Sequence, residues 1–353
     1  MKVYLGNIAL IILGYFFWVR SKKFNKGKLF FCVQVTVQWI LISGLRGISV
    51  GADTWRYQYM FEEVLDMTWS DVFKDFRLWI QGSNTLKDVG YTLFQKIFQI
   101  FSNDYQVFLV VVAILFMVPM GVWIYRNSEN VLLSYIVFSC LFYSFFAITG
   151  IRQTLVTGFM VFIGSELLKK KKYVWYYLLL FLLITIHKSV IALAIVPFIR
   201  KVKINRISTL IWCGLIVFAY LFRTQLMSLL SGLVGYNEYD QFYEGAGAST
   251  FAFLYYALTA VGIILYNRIN KRSESMVISF NMVVMGAILL PLTFINQSAM
   301  RAVQYFSVYL MFYVPQLTDF FEKRDKNIVT VVAVLALVVL LVLNRPTYTF
   351  FWQ

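Results

Sequence analysis

Apolar positions run along this chain in long blocks separated by short charged stretches. The blocks lie near 3–19, 29–45, 105–124, 131–148, 151–168, 173–186, 188–199, 207–223, 251–267, 276–295, 301–318 and 327–344. A helix that crosses a bilayer needs about 20 apolar residues, and a strand buried in a soluble core needs far fewer. The pattern therefore predicts an all-α polytopic membrane protein with about twelve transmembrane helices. Two of these form a short split pair within 173–199. A single membrane domain over 1–353 is expected, with long outer loops at 46–104 and 224–250. No cleavage-site pattern follows Leu10 to Trp18, so the first block reads as a genuine helix.

The distribution of charge decides how the 173–199 block is read. Lys and Arg cluster at 20–28, 126, 169–172, 200–206, 268–272 and 323–326. With the block split into two arms reversing near His187, every cluster falls on the cytoplasmic side. That side then holds 20 of the 32 basic residues and 6 of the 17 acidic ones. Read as one helix, the block would put the later clusters outside, against the positive-inside rule. Each arm then has about 13 residues, or roughly 20 Å, short of the ~30 Å hydrocarbon core. Short arms of this kind survive where they are buried in protein or line a watery cavity. His187-Lys188 would sit at their tip, open to the outer side.

Composition agrees: 60% of the 353 residues are hydrophobic and 14% charged. The net charge of +15 is orientation charge facing anionic lipid. No basic stripe or nucleic-acid motif accompanies it, so no nucleic-acid partner is expected. The three cysteines (Cys32, Cys140 and Cys213) all lie in apolar blocks, and there is one histidine. A disulfide framework, a zinc site and any other metal or cofactor are therefore not expected. The chain also lacks a glycine-rich phosphate loop, an Asp-x-Asp pair and a Ser/His/Asp set.

On this topology the inner loops are rich in lysine, whereas arginines stand singly at outer helix ends: Arg46, Arg152, Arg223, Arg301 and Arg345. Such placement runs against the orientation rule and calls for a reason. The stretch 46–59 carries Arg46, Asp53 and Arg56 with Gly47 and Gly51, glycines that permit a sharp turn or close approach. Arginine forks suit phosphate oxygens and tolerate partial burial. Arg46, Arg152-Gln153, His187-Lys188 and Arg301 thus form a candidate constellation for a lipid-linked anion. Asp53, Tyr57 and His187 are its available proton acceptors. The competing reading is interfacial: arginines that snorkel, an Asp53 that caps the helix beginning at Thr54 or Trp55, and a tyrosine belt. Loop 46–104 reads as amphipathic helices at the outer leaflet. Tyr236, Tyr239 and Tyr243 share one helical face and could stack on sugar rings.

Several motifs in this order resemble the EpsG/Wzy-type polysaccharide polymerases. Arg46…Gly51-Ala52-Asp53-Thr54…Tyr57 is similar to the family's first-loop Arg…Gly-Thr-Asp-x…Tyr signature, with Ala52 where threonine is usual. Asp88-Val89-Gly90-Tyr91 resembles its acidic-x-Gly-aromatic segment. The most specific piece is Ile151-Arg152-Gln153 opening a helix, then the lysine turn, then an apolar run ending in His187-Lys188-Ser189. Tyr236-x-x-Tyr239 and Arg301-x-x-x-Tyr305 match weaker late motifs.

The resemblance implies a fold like glycosyltransferase class C and a bacterial cytoplasmic membrane enzyme with its site on the outer face. Such an enzyme transfers a growing glycan from undecaprenyl pyrophosphate to the next lipid-linked repeat unit. A chain-length regulator is a further expected partner. His187, Asp53 and Arg152 would be catalytic. Arg46, Gln153, Lys188, Arg301, Tyr57, Tyr236, Tyr239 and Tyr305 would bind substrate. A glycan ligase would use a similar site. A repeat-unit flippase would instead want charges in mid-helix on several crossings, and an acyltransferase a His-x-x-x-Asp or Asn-His pairing that is missing here.

Overall fold

A computed structural model describes residues 1–83, 86–234 and 249–353. Among these residues the chain is helical throughout, with a single antiparallel bridge, Arg46 to Phe350. Seven helices are long and apolar enough to cross a membrane: α1 (Lys2–Arg20), α2 (Gly27–Gly44), α6 (Tyr105–Asn127), α7 (Val131–Thr149), α8 (Ile151–Lys169), α14 (Glu274–Phe294) and α17 (Lys323–Leu343). Between α2 and α6 lie three shorter helices, α3 (Thr54–Asp66), α4 (Trp69–Ile80) and α5 (Val89–Phe98). The later elements are α9 (Tyr173–Ile184), α10 (Lys188–Ile199), α11 (Arg206–Leu221), α12 (Arg223–Val234), α13 (Ser249–Ile264), α15 (Met300–Ser307) and α16 (Leu310–Leu317). This is a multi-pass membrane protein.

All twelve apolar blocks are helical, but not all are straight crossings. The 173–199 block breaks at 185–187 into α9 and α10, each shorter than a crossing. The 301–318 block is interrupted between α15 and α16. Residues 206–230 bend by 82° after Leu221. Runs of apolar residues specify helix and depth, but a break depends on neighbours that supply alternative partners for the freed backbone groups.

The chain forms two compact units, residues 1–188 with 315–353, and residues 189–314. In the first unit α2 and α6 pack most extensively. Helices gain little hydrophobic drive from one another in lipid, so close fit and hydrogen bonds hold them. The indole of Trp39 donates to Ser139 Oγ at 3.1 Å, and the Tyr135 hydroxyl donates to the Cys32 carbonyl at 3.2 Å. The three shorter helices between α2 and α6 are built into this unit. Tyr57 and Phe61 of α3 pack with Tyr91 and Phe98 of α5, Phe108 of α6, and Ile151 and Leu155 of α8. Lys96 of α5 donates to Val64 O and Leu65 O at 3.1 and 3.3 Å, carbonyls that the end of α3 leaves open, and Gln99, just after α5, donates to Phe61 O at 2.8 Å.

In the second unit α14 packs against α11, α13 and α15. Side chains reaching backbone carbonyls tie it together. Tyr255 donates to Val283 O at 3.0 Å, Tyr313 to Leu258 O at 3.2 Å, and Asn281 to Ile199 O and Val202 O at 3.0 and 2.8 Å.

Candidate functional site

The first unit brings Arg152 and Asp88 together beside Tyr57. Helix α7 winds more widely from Phe138 to Thr149, a π-helical stretch of the kind found at functional sites. Gly150 ends it and Ile151 opens α8 at once. Arg152 thereby stands in the first turn of α8, where the Gly150 carbonyl accepts from Thr154 N at 2.7 Å. Its guanidinium forms an ion pair with Asp88. It also lies 5.5 Å from the centroid of the Tyr57 ring, with a long 3.5 Å contact from Nε to the Tyr57 hydroxyl. The arginine is thus held on two sides, by a carboxylate and an aromatic face. Its side chain stays 19% exposed against 5% for Asp88.

Asp88 is the residue that sequence reasoning passed over as a site member. It precedes α5 in the left-handed conformation, φ 57°, and its carbonyl accepts from Tyr91 N and Thr92 N. Non-glycine residues rarely take that conformation, and such strain gathers at sites where surrounding structure enforces it. An acidic residue two before a glycine in a motif was the available signal. The next contact fixes the segment. Gly90 N donates to Thr185 O at 2.8 Å, and a Cβ on Gly90 would come within 2.1 Å of Thr185 Oγ1. Only glycine allows α5 to approach the break after α9 so closely. That contact brings the Asp88 segment up against the turn carrying His187, which is buried at 3% exposure, and Ile186, which packs on the aromatic cluster.

Arg46 lies deeper than the sequence suggested. It is 2% exposed and donates to the Ser43 carbonyl, with Ser43 Oγ at 3.5 Å. Its Nε has no hydrogen-bond partner, and no carboxylate pairs with it among the described residues. Burial lowers its pKa, opposed by its interactions with the hydroxyls of Tyr105, Tyr348, Tyr4 and Tyr91. The cover is the segment after α17. Tyr348 donates to Ile42 O at 2.8 Å, Gly47 N to Thr349 O at 2.9 Å, and Phe351 N to Leu45 O at 3.1 Å. Gly47 therefore serves an approach of this tail, while Gly51 takes φ +94° in the turn before α3. Because the tail follows α17 and pairs with the end of α2, these two helices end on the same side.

Tyr91 lies within the fields of both arginines. Its hydroxyl is fully buried and without a hydrogen-bond partner among the described residues. Burial raises its pKa well above the usual phenolic value, so it stays protonated, while the fields of Arg152 and Arg46 both act on it in the opposite sense. Its ring meets that of Tyr57 edge-on at 6.0 Å. Arg152, held beside a carboxylate and an aromatic hydroxyl and left partly open, can receive an anion.

The remaining expected residues divide by unit. Asp53 is half-buried before α3 and makes no capping hydrogen bond, so the capping role does not hold. Gln153 is buried in the first turn of α8, and Lys188, half-buried, ends the first unit. Arg301 and Tyr305 belong to the second unit, one turn apart on α15, with Tyr305 OH 3.1 Å from Ser189 Oγ. Tyr236, Tyr239 and Tyr243 lie outside the described residues. No cluster of metal-ligating side chains occurs among the described residues.

Comparison with known proteins adds one finding. The model of the EpsG family matches residues 28–351, nearly the whole chain and both units. No curated protein sequence and no solved structure matches.

Proposed function

Because the chain belongs to the EpsG family, we propose that it is a membrane polysaccharide polymerase. It joins lipid-linked repeat units at the outer face of the cytoplasmic membrane. On this reading the twelve apolar blocks make a glycosyltransferase class C-like bundle. The donor is a growing glycan on undecaprenyl pyrophosphate, and the acceptor is the next lipid-linked repeat unit.

The observation that carries the reading is Arg152, set on the Tyr57 ring and paired with Asp88, whose segment Gly90 packs against the helix break before His187. In the reaction an acceptor hydroxyl oxygen bonds to the donor's anomeric carbon while the bond from that carbon to the diphosphate breaks. The electron pair leaves with the lipid diphosphate, and the hydroxyl proton passes to a base. Fixed cations aimed at the developing charge lower the barrier without having to reorganise. Arg152 supplies such a cation, preorganised by Asp88 and Tyr57, with Gln153 beside it. Arg46 adds a second charge, with no carboxylate paired to it among the described residues. His187, with Asp53 as the other acceptor within the same unit, takes the proton.

The test is the length of surface glycan in cells carrying single variants in a gene-deletion background. Arg152→Ala and His187→Ala each leave lipid core with a single repeat unit. Normal long chains from Arg152→Ala would overturn the assignment of the cation. Loss of even the single repeat on gene deletion would move the protein upstream, to translocation or ligation.

A further inference from the structure

The second unit holds a cavity of about 400 Å³, within the ~300–1,000 Å³ of small-molecule sites. Its walls come from α10, α12, α14, α15 and the turn before α15, and most of them are aliphatic. Among the described residues its polar lining is Ser189, Ser298 and Arg301. Ser298, Arg301 and Tyr305 follow at helical spacing and so share one side, and Ser189 is fastened to that side through Tyr305 at 3.1 Å. The cavity is therefore amphipathic: one flank carries a cation and two hydroxyls, and the others are hydrocarbon.

Its depth follows from the chain. Helices α11 and α14 both begin beside basic clusters, at 200–206 and 268–272, which the positive-inside rule puts in the cytoplasm. The lining residues Met285, Leu289 and Leu292 lie at the far end of α14. Met227 lies on α12, beyond the 82° bend that ends α11. The cavity thus opens at the level of the outer leaflet, with Arg301 as the one charged lining residue among those described.

We propose that this cavity binds the isoprenoid chain and proximal phosphate of a polyprenyl diphosphate lipid, one of the two lipid-linked substrates. The inference rests on the polymerase reading for the identity of that lipid. Charge complementarity selects an anionic amphiphile: Arg301 and the two serines take the phosphate while the aliphatic walls take the tail. The walls also mix small and bulky side chains, with Ala192, Ala194, Ala299 and Ala302 among isoleucine, leucine and methionine. A chain that carries a methyl branch at regular intervals fills such a surface better than a straight acyl chain does. Methionine side chains adapt to what remains.

The test uses the full chain in nanodiscs and a diazirine-bearing polyprenyl diphosphate without sugar. Light should attach the probe to peptides covering 189–195, 227–230 and 285–302. Unlabelled polyprenyl diphosphate should abolish labelling, and phosphatidylglycerol at the same concentration should not. Ala302→Trp, which fills the cavity, should cut labelling at least ten-fold, as should Met227→Trp from another wall if the first variant fails to fold. Arg301→Gln should weaken competition by the diphosphate about ten-fold and leave competition by the uncharged polyprenol unchanged. Labelling elsewhere, equal competition by phosphatidylglycerol, or undiminished labelling in a folded Trp variant would overturn the proposal. Labelling of the cavity in a protein whose deletion leaves polymer intact would sink the polymerase reading alone. Intact polymer made by a cavity-filled variant would sink the cavity alone.

Discussion

Gly90→Ala adds one methyl group at the tightest contact of the first unit. The new Cβ would lie 2.1 Å from Thr185 Oγ1, where ordinary contact begins at 3.4 Å, so about 1.3 Å of overlap must be relieved. Turning the threonine hydroxyl aside is not enough, because Thr185 Cβ and its carbonyl carbon remain at 2.8 and 2.9 Å. The backbone must yield by about half an ångström or more, and the 2.8 Å bond from Gly90 N to Thr185 O is strained with it. Overpacking of this kind costs about 1–3 kcal/mol. The functional loss is larger, because Asp88 is two residues away and shifts relative to Arg152. Misplacement by about 1 Å can cost on the order of 100-fold in rate. We expect Gly90→Ala protein to reach the membrane at near-normal levels but to leave single-repeat glycan on a silver-stained gel. Adding Thr185→Gly removes the two nearest side-chain atoms and should restore much of the polymer, with Thr185→Gly alone as the control. Normal glycan from Gly90→Ala, or no gain from the double variant, would refute the claim that this contact positions the site.

Further outcomes follow from the same geometry. Asp88→Asn removes the partner of a mostly buried guanidinium and should destabilise the protein by about 3 kcal/mol, the low end for a broken buried pair because Arg152 is partly exposed. Replacing both residues, Asp88→Ala with Arg152→Met, should recover detergent-melting stability but not polymer, which separates structure from chemistry. Arg46→Met should leave the melting temperature unchanged or raised, since a buried cation without a carboxylate costs desolvation, and should still abolish polymer; retained long chains would show that Arg46 is structural. At the start of α4, hydrogen bonds from the Thr68 hydroxyl and then its backbone N–H hold Asp71 below the usual carboxylate pKa. A depressed folded pKa contributes stability that is lost as pH falls through it. Protection factors for hydrogen exchange over 69–80, taken against the intrinsic rate at each pH, should therefore fall below the usual carboxylate range, and Thr68→Ala should give the lower protection already at pH 7.

Hydropathy and charge alone determined the class of the molecule, the helical state of all twelve blocks and the break before His187. Those properties depend on solvent and on local periodicity: a bilayer demands satisfied backbones, and lysines stay on the cytoplasmic side. Spacing could also nominate Arg46, Arg152 and His187, because a single polar residue in an apolar setting stands out. Pairing could not be read that way. That Asp88 meets Arg152 depends on Gly90 fitting against Thr185, a contact between residues 95 positions apart. The cover over Arg46 comes from Tyr348 and Thr349, some 300 residues away, through backbone groups that carry no compositional signal. Asp53, which looked like a cap, makes none. The cavity beside Arg301 exists because α11 bends after Leu221 and α15 breaks off before α16, and an apolar block reads the same whether it runs straight or folds back. Local sequence determines which side chains resist the lipid, and only tertiary packing decides which of them meet.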